Sequence, residues 1–215
     1  MKKITKVIFA ATAIALLASA TAFAKPKKNK KAKKAEASVA VEGVEAINNP
    51  DPTGTVDLLD GVEEGVYWLA VGDSWGTGDT STDISESTDW KTEGSTSMKL
   101  EYSAASAANG ATGGDKATFF CDALAIVDLT EYKQVVLDVN NPTGAAIDLV
   151  LVIQDTNWTW CQSAAQTLGG GVNKNVTYNL ADLKIPDVTA VHRMCLCLFQ
   201  EHDGPIYVDN IRLVK

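Results

Sequence analysis

Ile147-Asp148-Leu149-Val150-Leu151-Val152-Ile153-Gln154 is the stretch whose reading decides the fold class. Successive side chains of a strand point to opposite sides, so Ile147, Leu149, Leu151 and Ile153 share one face and Val150 and Val152 the other. Both faces are apolar, the pattern of an inner strand. Working outward, further candidate strands fall at 66–71, 97–103, 117–122, 134–139, 157–163, 175–179, 190–199 and 206–213. They are separated by turn clusters such as Ala108-Asn109-Gly110, Asn140-Asn141-Pro142-Thr143-Gly144, Gly169-Gly170-Gly171 and Asp203-Gly204-Pro205. Nine short strands without a long amphipathic helix predict an all-β fold, a two-sheet β-sandwich.

Charge is segregated along the chain. Residues 1–35 contain no acid and ten of the 19 basic residues, whereas 36–215 carry nine basic against 27 acidic side chains, a formal charge of −18. A body this acidic repels phosphate backbones, so nucleic acid is excluded as a partner. Lys2, Lys3 and Lys6, the apolar run Val7–Leu17 and the small-residue site Ala22-Phe23-Ala24 read as a cleaved signal peptide over 1–24. The expectation is an exported protein, periplasmic, cell-surface or extracellular, with no transmembrane segment in the mature chain. Residues 25–54 form a Lys-rich disordered linker whose Lys25–Lys34 run can adhere electrostatically to an anionic envelope surface. One domain, 55–215, follows.

Four cysteines in an exported chain point to disulfides. Cys195 and Cys197 lie two apart on a candidate strand, with parallel side-chain directions, and do not readily pair with each other. Cys121 and Cys161 are then their partners, in either of two connectivities. Reduced, buried thiols acting as small hydrophobes are the alternative.

A resemblance lies in Gly204-Pro205-Ile206-Tyr207-Val208-Asp209-Asn210-Ile211-Arg212-Leu213, in Leu58-Leu59-Asp60-Gly61-Val62-Glu63-Glu64-Gly65 followed by Trp68, and in Thr92-Glu93-Gly94-Ser95-Thr96-Ser97-Met98-Lys99-Leu100-Glu101-Tyr102. With Leu129–Asn141 and Asn175–Leu183, these segments resemble the final, opening and central strands of the galactose-binding-like jelly rolls found in carbohydrate-binding modules. The resemblance spans about residues 55–215. It implies a jelly roll and one structural calcium ion, with Glu63 and Asp209 at the matching carboxylate positions. Related jelly rolls in flagellar-sheath proteins imply the second reading, a structural envelope protein assembling with protein partners.

Sugar recognition calls for flat aromatic rings under the apolar face of a pyranose and for forked polar groups at its hydroxyls. Trp158 and Trp160 are two apart, so on a strand both indoles project from one face. Gln154, Asp155 and Asn157 are near in sequence and are assigned polar orientation of the ligand, with Trp75, in a glycine-rich polar loop, as a third ring. Trp68 is assigned to packing. No Gly-x-Ser-x-Gly elbow, His-Glu-x-x-His helix or phosphate-cradling loop occurs, and no carboxylate pair is distinguished. The expectation is therefore a non-catalytic protein that binds a polysaccharide or oligosaccharide.

Overall fold

In the computed structural model the described residues are 43–71, 80–104, 116–199 and 202–215. The signal peptide, the Lys25–Lys34 run and Trp75 lie outside them. Two antiparallel sheets make a jelly-roll β-sandwich. The first runs β10 (Gly171–Asn179), β6 (Gln134–Asn141), β12 (His202–Val214), β4 (Ser97–Ala104), β3 (Thr80–Ser87), with β1 (Val56–Asp60) on β12. The second runs β2 (Leu69–Val71), β5 (Lys116–Cys121), β11 (Val191–Phe199), β7 (Ile147–Asp155), β8 (Trp160–Gln162), with β9 (Gln166–Leu168) also on β7.

The core forms where the inward faces meet. Leu100, Leu137, Val139 and Val208 of the first sheet join Phe119, Leu149, Leu151, Ile153 and Leu198 of the second in one fully buried cluster. Each large side chain so buried contributes about 1.5–3 kcal/mol. The one core phenol beside β7 is satisfied, because Tyr178 Oη donates to the Leu149 carbonyl at 2.8 Å. As its two-faced pattern requires, β7 turns Val150 and Val152 outward into a second cluster with Phe120, Cys195 and Cys197.

That arrangement overturns the expected disulfides: all four cysteines are thiols. Cys121 and Cys161 belong to the inner cluster, whereas Cys195 and Cys197 belong to the outer one, on the opposite side of the same sheet. Cys121 also cannot reach Cys161. The register row Cys121, Met194, Ile153, Cys161 separates them by three strand steps, about 14 Å, against an upper limit of about 7 Å between bridged Cα atoms.

Three strands and the helical turn α1 (Leu180–Leu183) fall outside the expected set. β3, Thr-Ser-Thr-Asp-Ile-Ser-Glu-Ser, is an edge strand that supplies only Ile84 to the core, so it has no apolar alternation to announce it. β1 and β9 are short. Among the described residues no helix is long and apolar enough to cross a membrane.

The ordered domain begins before Thr55. Ile47 N donates to Asn173 Oδ1 (2.9 Å), Lys174 N to the Ile47 carbonyl (2.7 Å) and Asn49 N to the Lys174 carbonyl (3.2 Å). Asn175 Nδ2 adds bonds to the Asn49 carbonyl and Asp51 Oδ1, so this strap lies along β10 as a parallel partner. Gly169 permits the approach, since a Cβ there would stand 2.4 Å from the Val44 carbonyl oxygen. Residues 47–51, which the sequence reading placed in the linker over 25–54, therefore pair with an otherwise open sheet edge.

Candidate functional site

The loop between β7 and β8 is built by a buried carboxylate. Asp155 Oδ1 accepts the Asn157 and Thr159 backbone N–H groups, both at 3.0 Å, and Trp158 N donates to the Asp155 carbonyl at 2.9 Å. These bonds hold the Asp155 carboxyl below the usual carboxylate range, with the Thr159 N–H the largest cause. They also bend the chain out of the strand expected over 157–163, leaving only Trp160–Gln162 paired. Trp158 then adopts φ +60°, the left-handed position that glycine fills in most such loops. A bulky side chain there costs about 1–3 kcal/mol of backbone strain.

The strained residue presents its indole to the outer face of the second sheet. The Arg193 guanidinium carbon lies 4.8 Å from the Trp158 ring centroid and 4.1 Å from that of Phe120, so the cation lies over both rings. Asp122 grips the same guanidinium as a fork, accepting from Nε at 2.5 Å and Nη2 at 2.7 Å. The pairing lowers the Asp122 pKa and raises that of Arg193. His192 meets the Trp158 ring edge-on, with centroids 4.2 Å apart. On the neighbouring strand Trp160 Nε1 donates to Gln162 Oε1 at 3.0 Å. Register places Arg193 opposite Gln154 and Gln154 opposite Trp160, so these residues form one row across the end of the sheet.

Trp158 and Trp160 are thus both open, 50% and 38% exposed. They are not equivalent, since Trp158 stands on the turn and Trp160 on β8. Asn157 is exposed beside them. Gln154 and Asp155 are corrected from ligand contacts to framework: Gln154 is 7% exposed with Nε2 bonded to the Trp158 carbonyl, and Asp155 has no exposed surface. Trp68 is core, its Nε1 donating to Asp60 Oδ2. The residues missed from sequence are Asp122, Arg193, Phe120 and His192. One signal was available, Arg193 being one of two arginines in the protein and set inside an apolar run.

Glu63 and Asp209 hold the two ends of the loop from Thr92 to Thr96. Asp209, with no exposed surface, accepts Thr92 N (2.6 Å), Glu93 N (2.9 Å), Thr92 Oγ1 (3.3 Å) and Asn210 N (2.7 Å). Glu63 accepts Ser95 N, Ser95 Oγ and Thr96 N at 2.7–2.9 Å, and the Ser95 hydroxyl is the largest cause of its pKa falling to about 2. Gly94, at φ +56°, leaves the space that the Glu63 carboxylate fills. Calcium requires six to eight oxygens with lone pairs turned toward it. Both carboxylates instead face N–H and O–H donors, and Glu93 Oε2 is the one buried oxygen of this loop without a partner among the described residues. No group of three or more metal-ligating acids, histidines or cysteines forms among those residues. The donor set does not fit a calcium ion held between Glu63 and Asp209.

Comparison with solved structures places the architecture. A family 11 carbohydrate-binding module from Clostridium thermocellum, in complex with a β-1,3-1,4-mixed-linked tetrasaccharide, matches with TM-score 0.55 and 13% identity over 76% of this chain and 97% of that one. A non-crystalline-cellulose-specific module, CBM28, matches with TM-score 0.53 and 22% identity over 77% and 97% of the two chains. The fold is that of the jelly-roll carbohydrate-binding modules. No protein-family model and no curated protein matches the sequence. The likeness to these modules is therefore one of architecture, carried by strand order and packing at low sequence identity.

Proposed function

We propose that the chain is an exported, non-catalytic carbohydrate-binding protein that takes a neutral glycan on Trp158 and Trp160. The observation that carries this reading is two half-open indoles at the same end of the second sheet, Trp158 on the turn that follows β7 and Trp160 on β8. Indoles left open in this way offer stacking surface to the C–H face of a sugar ring. Asn157 and Gln162, both exposed, supply hydrogen bonds to hydroxyls. Neutrality follows from charge: Arg193 is already matched by Asp122, and residues 36–215 carry −18, so uronate polymers are repelled.

The test is binding of the mature chain, Lys25–Lys215, to soluble glucans, mannans, xylans, galactans and a polyuronate, followed by intrinsic tryptophan fluorescence. A spectral shift with a neutral glycan whose affinity weakens about 2- to 13-fold in Trp158→Ala and in Trp160→Ala, each ring contributing about 0.5–1.5 kcal/mol, supports the reading. Absence of binding to every glycan, with self-association in sedimentation, refutes it.

A further inference from the structure

The turn preceding β8 asks for glycine at position 158 and holds tryptophan instead. Turn geometry gives no reason for that choice, so the indole is retained for what it does on the surface. Three neighbouring residues hold it in place. Asp155 closes the turn beneath it, Gln154 Nε2 bonds its carbonyl at 3.1 Å, and the Arg193 guanidinium lies over both its ring and that of Phe120. Arg193 is itself immobilised, with only 14% side-chain exposure and both Nε and Nη2 engaged by Asp122. A lysine cannot reproduce this, because an ammonium has neither the planar surface to lie over two rings nor the fork to match a carboxylate.

We propose that Asp122 and Arg193 are the positioning residues of the platform, presetting the Trp158 indole in its ligand-ready orientation before any ligand arrives. The role rests on the carbohydrate reading for its ligand but not for its geometry. A ring held in advance loses little rotational freedom on binding, whereas a ring that must be ordered by the ligand weakens affinity. The strained backbone at Trp158 is then a feature of the binding site and not of the fold.

The experiment uses the mature chain without ligand first. The near-ultraviolet circular dichroism band of Trp158 is isolated as the difference between the chain and its Trp158→Phe variant, and the same difference is taken in Arg193→Ala, Arg193→Lys and Asp122→Asn backgrounds. The band is expected in the native background and lost in the other three, the lysine included. Binding of β-1,3-1,4-linked glucotetraose is expected to weaken about three- to tenfold in Arg193→Ala, the range set by immobilising one large side chain. Trp158→Gly is expected to abolish that binding while leaving the thermal midpoint unchanged or raised, since glycine relieves the left-handed strain. A Trp158 band that persists in Arg193→Ala, or a Trp158→Gly chain that melts well below the native one, overturns the proposal. A native chain that binds no glycan while its Trp158 band depends on Arg193 overturns the carbohydrate reading and leaves the clamp standing.

Discussion

Replacing Asp209 by alanine tests how the loop from Thr92 to Thr96 is held. Asp209 is fully buried and its carboxylate accepts three backbone N–H groups and one hydroxyl, at 2.6, 2.7, 2.9 and 3.3 Å. Alanine removes every acceptor at once. The Thr92 hydroxyl retains a partner, because Asp138 Oδ2 also accepts it, but the loop N–H groups of Thr92 and Glu93 lose theirs. A stranded donor costs about 1–3 kcal/mol, so the two together come to about 2–6 kcal/mol. For a domain of this size each kcal/mol moves the midpoint by about 2–4 °C, giving a drop of roughly 4–24 °C. Urea unfolding of the native chain and of Asp209→Ala, each in calcium and in chelator, measures both the size and the cause. The expected result is the same loss in both media and a native chain indifferent to chelation. A native chain stabilised by calcium, with that gain abolished by Asp209→Ala, would refute the hydrogen-bond account.

Two further outcomes follow from the same geometry. Alkylation of the denatured, unreduced mature chain should add four labels, because sheet faces and register keep every cysteine pair apart; an unlabelled mass contradicts the register of β5, β11, β7 and β8. Glu63→Gln should be less stable than the native chain above about pH 4.5 and equal to it near pH 2. The folded pKa of Glu63, about 2, lies below its ordinary 4.5, so its contribution is present above the unfolded value and lost as pH falls through the folded one. A difference independent of pH would show that the Glu63 charge has no part in holding Ser95 and Thr96.

Much of the sandwich is legible in local pattern. Ile147–Asp155 advertises both of its faces, and β6, β11 and the second half of β12 carry enough apolar residues between turn clusters to be read directly. β3 is silent because an edge strand with one buried residue has nothing periodic to show. The site divides in the same way. Trp158 and Trp160 stand out as neighbours in sequence, but the strand that would have aligned them gives way to a turn, because hydrogen bonds from Asn157 and Thr159 to one buried carboxylate override extended propensity. Asp155 builds the loop because a short carboxylate beside a turn bonds the backbone first, and the longer Gln154 reaches across the turn to the Trp158 carbonyl.

What the sequence determines alone is what local spacing and composition carry: an all-β domain, an acidic body after a basic first 35 residues, and two neighbouring tryptophans as candidates. What the tertiary structure decides depends on which strands lie side by side and which face each residue takes. Arg193 meets Asp122 across 71 positions of sequence only because β11 pairs with β5, and Trp158 comes to rest on Arg193 only because β7 pairs with β11. The same register places Cys195 and Cys197 on the side of the sheet away from Cys121 and Cys161. Side chains alternate with a period of two, so a shift of one residue in pairing exchanges the faces. Register is set by packing of the whole sandwich, and no window of sequence contains it.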